Sequence, residues 1–153
     1  MTLRIGLIAD THGLLRPQAL AALEGCHHIL HAGDIGKPEI LDALRQLAPL
    51  TVVRGNNDTQ DWALEIPHDA TLCLGGARLY LVHDQADIPP GLTTRGIDAI
   101  VTGHSHKPLV TSRDGILHVN PGSAGPRRFS LPISVGFLLV GDGVRAELRA
   151  LDI

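Results

Sequence analysis

Short apolar runs, each stopped by an acid, an amide or a histidine, recur along the chain. Residues 3–9 carry Ile5, Leu7 and Ile8 and end in Asp10-Thr11-His12-Gly13. Ile29-Leu30 leads into His31-Ala32-Gly33-Asp34, and Thr51-Val52-Val53 into Arg54-Gly55-Asn56-Asn57-Asp58. Leu79-Tyr80-Leu81-Val82 stops at His83-Asp84, and Ala99-Ile100-Val101 at Thr102-Gly103-His104-Ser105-His106. Runs this short and this apolar predict strands buried on both faces. Between the first three, the pattern changes. Pro17, Ala19 to Leu23 and a closing Gly25 predict one helix. Pro38 followed by Ile40, Leu41, Leu44 and Leu47 predicts a second, stopped by Pro49. The order βαβαβ implies parallel strands with right-handed crossovers.

The second half is punctuated differently. Gly75-Gly76, Arg113-Asp114-Gly115 and Gly141-Asp142-Gly143 each separate two strand-like runs and predict three hairpins. In the last run Arg145, Glu147 and Arg149 alternate with Ala146, Leu148 and Ala150, so one face should be wet. The expectation is one α/β domain over residues 1–153, parallel in its first half and antiparallel in its second, with two sheets packed face to face. Ligands of open α/β sheets bind beyond the carboxyl ends of strands, where every interrupting polar residue falls.

Composition narrows the function classes. With 44% hydrophobic and 19% charged residues the chain can bury a core, and a net charge of −3 offers no general grip on nucleic acid. No apolar stretch reaches a membrane span, and residue 1 leads into the first strand without a basic leader, so a cytoplasmic location is expected. Cys26 and Cys73 have no metal or redox spacing and read as small buried hydrophobes without a disulfide. Nine histidines against four Phe, Trp and Tyr residues make a metal site the first chemistry to test.

Seven candidate ligands lie on the five loops: Asp10, His12, Asp34, Asn56, His83, His104 and His106. Carboxylate, amide and imidazole donors without thiolate suit Mn²⁺, Fe, Zn²⁺, Co²⁺ or Ni²⁺ better than Ca²⁺. Seven donors exceed one tetrahedral ion. They suit two ions sharing a carboxylate, roughly 3.5–4 Å apart.

The order Asp10-x-His12, Gly33-Asp34, Gly55-Asn56-x-Asp58, His83, Gly103-His104-x-His106 resembles the calcineurin-like metallophosphoesterase superfamily. Asn120-Pro121-Gly122-Ser123 and the compact length resemble its small YfcE-like phosphodiesterase branch. The resemblance runs from residue 5 to about residue 128. It implies a four-layer α/β/β/α sandwich of two mixed sheets and a dinuclear centre, with Mn²⁺ the leading ion. By the same resemblance Asp10, His12 and His106 hold one ion, Asn56, His83 and His104 the other, and Asp34 bridges. A metal-bridging hydroxide would attack the phosphorus of a small phosphoester, with Asp10, Asp34, Asn56, Asn57 and His104 as the catalytic set. A phosphodiesterase is implied first and a phosphomonoesterase or nucleotide phosphatase second. A non-catalytic protein-binding scaffold is the rival class, because the retromer subunit shares the fold.

Two departures matter. Relatives often carry His-Glu after the metal-binding Asn, where this chain has Asn57-Asp58, and His-Gly-His where it has His83-Asp84-Gln85. Asn57 cannot donate a proton as a general acid, though its amide could meet a phosphoryl oxygen. Leaving-group protonation therefore has no owner, and slow turnover of poor leaving groups is expected. Arg127 and Arg128 are candidate contacts to the substrate phosphate. Asp58 is expected to buttress the Asn56 loop, and Gly122-Ser123 to pack beneath the site. His31 reads as either a ligand-orienting or a buried structural residue. His27, His28, His68 and His118 read as structural or exposed. Trp62, Leu64 and Ile66 mark either a homo-oligomer interface or a cover for the core.

Overall fold

The computed structural model describes residues 2–153. The first half follows the predicted order: β1 (Leu3–Ile8), α1 (Pro17–Leu23), β2 (His28–His31), α2 (Pro38–Arg45) and β3 (Leu50–Val52). Both helices begin with proline in the first turn, where the missing N–H costs nothing. Then come β4 (Asp69–Leu74), β5 (Ala77–Val82), β6 (Ala99–Val101), β7 (Leu109–Arg113), β8 (Ile116–Asn120), β9 (Ser134–Val140) and β10 (Val144–Ala150). Three single 3₁₀ turns, Asp61–Ala63, Gln85–Asp87 and Thr93–Arg95, lie between strands.

These strands form two mixed five-stranded sheets, ordered β10-β9-β1-β2-β3 and β4-β5-β6-β8-β7. All three predicted hairpins are present, but the second half is not antiparallel throughout. β5, β6 and β8 run parallel at the centre of the second sheet, with Leu79 beside Ala99 and Ala99 beside Leu117. Hairpin signals fix only neighbouring strands. The connection over residues 83–98 is long enough for a parallel crossover, and nothing in its composition announces one. The last hairpin also changes sheets: β9 lies antiparallel along β1, with Ile5 opposite Leu138.

Alternation decides which residues face the seam. Ile5, Leu7, Leu30, Leu79, Leu81 and Leu138 meet between the sheets. Ile8, Ile29 and Phe137 point the other way, under Leu23, Ile40 and Leu44 of the two helices. The outer face of the second sheet has a thinner cover: Tyr80, Val82 and Ile100 pack under Leu92 and Ile97 from the segment of 3₁₀ turns. Cys26 is buried as expected, whereas Cys73 is exposed. It lies on β4, an edge strand that alternates exposed and half-buried positions. Trp62 and Ile66 cover the outer core, while Leu64 stays exposed. No helix among the described residues is long and apolar enough to cross a membrane.

Candidate metal centre

The seven candidate ligands follow the ends of β1, β2 and β3 in one sheet and β5 and β6 in the other. The expected single edge is therefore two edges facing each other across the seam. Tight backbone geometry holds the loops there. Of the seven described non-glycine residues with positive φ, five are Asp10, His12, Asp34, His104 and His106, at 45–70°. Left-handed backbone in such residues costs of order 1–3 kcal/mol each and persists only where the surroundings impose it.

Those surroundings can be named. Asp10 and His12 donate their N–H groups to Gly33 O (3.0 Å) and Asp34 O (2.9 Å). The Asp58 carboxylate, 3% exposed, accepts from the N–H groups of Asp34, Ile35, Gly36 and Gly55 at 2.9–3.3 Å. One side chain thus fixes two ligand loops, a wider role than supporting Asn56. Gly55 is required here, because a Cβ would run into the backbone N and carboxylate of Asp34. Asn120 Nδ2 donates to Gly103 O (2.9 Å) and Ser105 Oγ (3.1 Å), tying down the loop that carries His104 and His106. Ser123 Oγ donates to Asp10 O at 3.1 Å, so the segment beneath the site is a direct support. Asn120 drew attention in the sequence only through its motif. Its side-chain role depends on a contact spanning 17 residues.

The ligand atoms converge in two groups: Asp10, His12 and His106, and Asp34, His83 and His104. In the first, His12 Nε2 and His106 Nε2 lie 3.3 Å apart. Asp10 Oδ1 faces them at 3.9 and 3.7 Å, fully buried and without a hydrogen-bond partner. In the second, His83 Nε2 lies 3.2 Å from Asp34 Oδ2 and 3.3 Å from His104 Nδ1. Asn56 Oδ1 joins that group 3.2 Å from His104 Nδ1. Asp34 also lies near the first group, its Oδ2 3.7 Å from His12 Nε2. An orphaned buried carboxylate oxygen and clustered imidazole nitrogens are what a cation would satisfy, so the donor set fits two divalent ions.

Burial dominates the electrostatics of the first group. It pushes Asp10 up to about 7 and His106 down to about 4, and it lowers His12 as well. The second group behaves differently. Burial opposes the Asp34 charge, yet hydrogen bonds from His83 and the Asn57 N–H hold it down at about 2. His83 is raised because Asp34 outweighs burial. Its Nδ1–H donates to Ala32 O at 2.7 Å, which makes Nε2 the nitrogen that faces Asp34.

Asn57 donates from its backbone N–H to Asp34 Oδ1 (2.9 Å) and from Nδ2 to Asp34 Oδ2 (3.1 Å). In this structure its amide steadies the shared carboxylate instead of reaching outward to a phosphoryl oxygen. Arg127 and Arg128 are exposed. The Arg128 charge lies close enough to lower Asp10, His12 and His106. Arg127 turns back to Leu131 O at 3.3 Å.

His31, fully buried behind the site, is a positioning residue. Thr11 Oγ1 donates to Ile35 O, so His31 Nε2–H must donate to Thr11 Oγ1 (3.0 Å), while Nδ1 accepts from the Gly33 N–H. Both nitrogens are committed to the neutral ring, and burial lowers its pKa from 6.5 to about 3. Below pH 6.5 the unfolded chain takes up a proton that the folded chain refuses until about pH 3. Stability present above pH 6.5 is therefore lost below it, by about 2 kcal/mol at pH 5. Denaturant titrations at pH 7 and pH 5 should show wild type losing that much more than His31→Gln.

Residues 3–143 match the calcineurin-like phosphoesterase superfamily domain. The chain is 32% identical to a probable metallophosphoesterase of Methanothermobacter thermautotrophicus, over 94% of this chain and 90% of that protein. It is 29% identical to phosphodiesterase YfcE of Escherichia coli, over 89% of this chain and 87% of that one. Among solved structures, vacuolar protein sorting 29 from Cryptosporidium parvum superposes with a TM-score of 0.80. Identity there is 21%, over 99% of this chain and 92% of that chain, and it shows a shared fold.

Proposed function

The chain belongs to the calcineurin-like phosphoesterase superfamily and is a metal-dependent phosphoester hydrolase, and from that we propose that it cleaves phosphodiesters at a two-ion centre. Asp10, His12 and His106 would hold one ion, Asn56, His83 and His104 the other, and Asp34 would span both. The observation that carries this reading is the position of Asp34 Oδ2, within 3.7 Å of an imidazole nitrogen from each group. Paired divalent ions supply a water acidified to near neutral pH and positive charge for the phosphoryl oxygens. With nitrogen and oxygen donors and no thiolate, Mn²⁺ is the first choice, ahead of Ni²⁺, Co²⁺, Fe or Zn²⁺.

The chain's own residues prepare that chemistry. Ala32 O fixes the His83 tautomer, and Asn57 steadies Asp34 through both of its N–H donors. Arg128 offers its guanidinium to a phosphoryl oxygen from the side of His12 and His106, with Arg127 beside it on the rim. The preference for diesters follows from charge: Asp84 lines the cleft beside Asn56 and opposes a dianionic monoester more than a monoanionic diester. The name of the YfcE relative supports the same preference.

Titrating the protein with Mn²⁺, Co²⁺ or Ni²⁺ should switch on hydrolysis of bis(p-nitrophenyl) phosphate. Bound metal should approach two ions per chain by elemental analysis. The diester should exceed p-nitrophenyl phosphate in kcat/KM by about tenfold, a transition-state difference near 1.4 kcal/mol. Hydrolysis absent with every ion would leave a protein-binding scaffold of this fold as the better reading.

A further inference from the structure

A cavity of about 370 Å³ opens beside the second group, lined by Asn56 and His83 on one side and by His68 and Asp87 on another. His68 stands one residue before β4. The register that sets Asp69 opposite Val82 sets position 68 opposite 83 when it is continued by one step. The Arg54 N–H donates to Pro67 O at 2.8 Å, which ties this turn to the loop bearing Asn56. There His68 Nε2 lies 3.5 Å from Asp87 Oδ2. Asp87 is placed by the 3₁₀ turn whose cap, Asp84, accepts from Ala86 N through Oδ1 and from Asp87 N through its carbonyl. The other charged groups on the cavity are committed elsewhere. Asp58 accepts four backbone N–H groups, Asp84 Oδ2 faces His104 Nε2 at 3.7 Å, and Arg54 Nη1 donates to Leu64 O at 3.5 Å. His68, oriented by a carboxylate at one nitrogen, keeps Nδ1 free.

Resting on the hydrolase reading above, we propose that His68, positioned by Asp87, is the general acid for a leaving group seated in this cavity. As an oxygen of water bonds to phosphorus, the bond from phosphorus to the leaving oxygen breaks, its electron pair stays on that oxygen, and the leaving oxygen takes its proton from Nδ1–H of the His68 imidazolium. The neutral ring keeps its Nε2–H toward Asp87, and solvent restores the missing proton. This supplies the donor that Asn57 cannot be. The sequence concealed it because position 68 lies outside every motif and gains its partner only through the fold.

The test compares two diesters on the metal-loaded protein: bis(p-nitrophenyl) phosphate, whose leaving group needs no proton, and diphenyl phosphate, whose leaving group does. His68→Gln should leave the first within about threefold and slow the second by about 10²-fold, the usual worth of a placed acid. Asp87→Asn should slow diphenyl phosphate alone, by about tenfold. Metal content and thermal midpoint should match wild type in both variants. If both esters are slowed equally, or neither is, His68 is not the acid although the hydrolase stands. If wild type cleaves neither ester with any ion, the hydrolase reading fails and takes the acid with it.

Discussion

Asp34→Asn is expected to lower kcat/KM for bis(p-nitrophenyl) phosphate by 10³-fold or more and to reduce bound metal to one ion per chain or fewer. The substitution keeps the shape and the Oδ1 acceptor for the Asn57 N–H, while it removes the charge and puts an amide NH2 where Oδ2 accepts from Asn57 Nδ2. That charge faces His83 Nε2 at 3.2 Å and His12 Nε2 at 3.7 Å, and no other carboxylate approaches both groups so closely. Removing a group that only orients a ligand costs about 10–100-fold. Removing the carboxylate between two cations should cost more, because their repulsion is then uncompensated. Asn57→Ala should fall in the lower range, since it loses one of the two donors to Asp34. Elemental analysis with steady-state kinetics decides the matter: near-normal metal content in Asp34→Asn would overturn the shared-carboxylate assignment.

Asp58→Ala is expected to destabilise the protein by about 3–4 kcal/mol, a drop in Tm on the order of 10 °C for a chain of this size. The residue touches no ligand atom of either group. Its two oxygens satisfy four backbone donors from the loops after β2 and β3, three of them buried, and alanine would strand those three. Because Asp34 and Gly55 supply two of those donors, the variant should also bind metal weakly. Differential scanning calorimetry and metal titration together check both effects. A loss below about 1 kcal/mol would mean that water replaces the carboxylate.

The same residues show what a sequence can disclose. Strand ends were legible because each apolar run stops at a polar cluster, and the helices because proline and the spacing of Ile40, Leu41 and Leu44 announce them. The convergence of Asp10, Asp34 and His104 followed from all three sitting beyond strand ends. The parallel centre of the second sheet was not legible, since no local signal says which strand a long connection reaches. The Asn57 amide could be assigned a chemistry but not a direction, because its partner is an oxygen 23 residues away. Cys73 was misplaced for a related reason: burial of a strand residue depends on whether the strand is central or at an edge. His68 and Asp87 stand 19 positions apart, with nothing in between to suggest that they meet.

The way β9 closes against β1 bears on how the chain comes off the ribosome. Leu3 finds its antiparallel neighbour at Val140, and Asp10 waits for Ser123 before its carbonyl is satisfied. A nascent chain that has not yet reached residues 134–140 would hold an open sheet edge along β1, and Ser123 would lack the N–H that Ser134 donates to its carbonyl. Such late-arriving, long-range closure makes for slow folding. Competence to capture ions should therefore emerge only once the chain has passed Val140, and all at once instead of growing loop by loop.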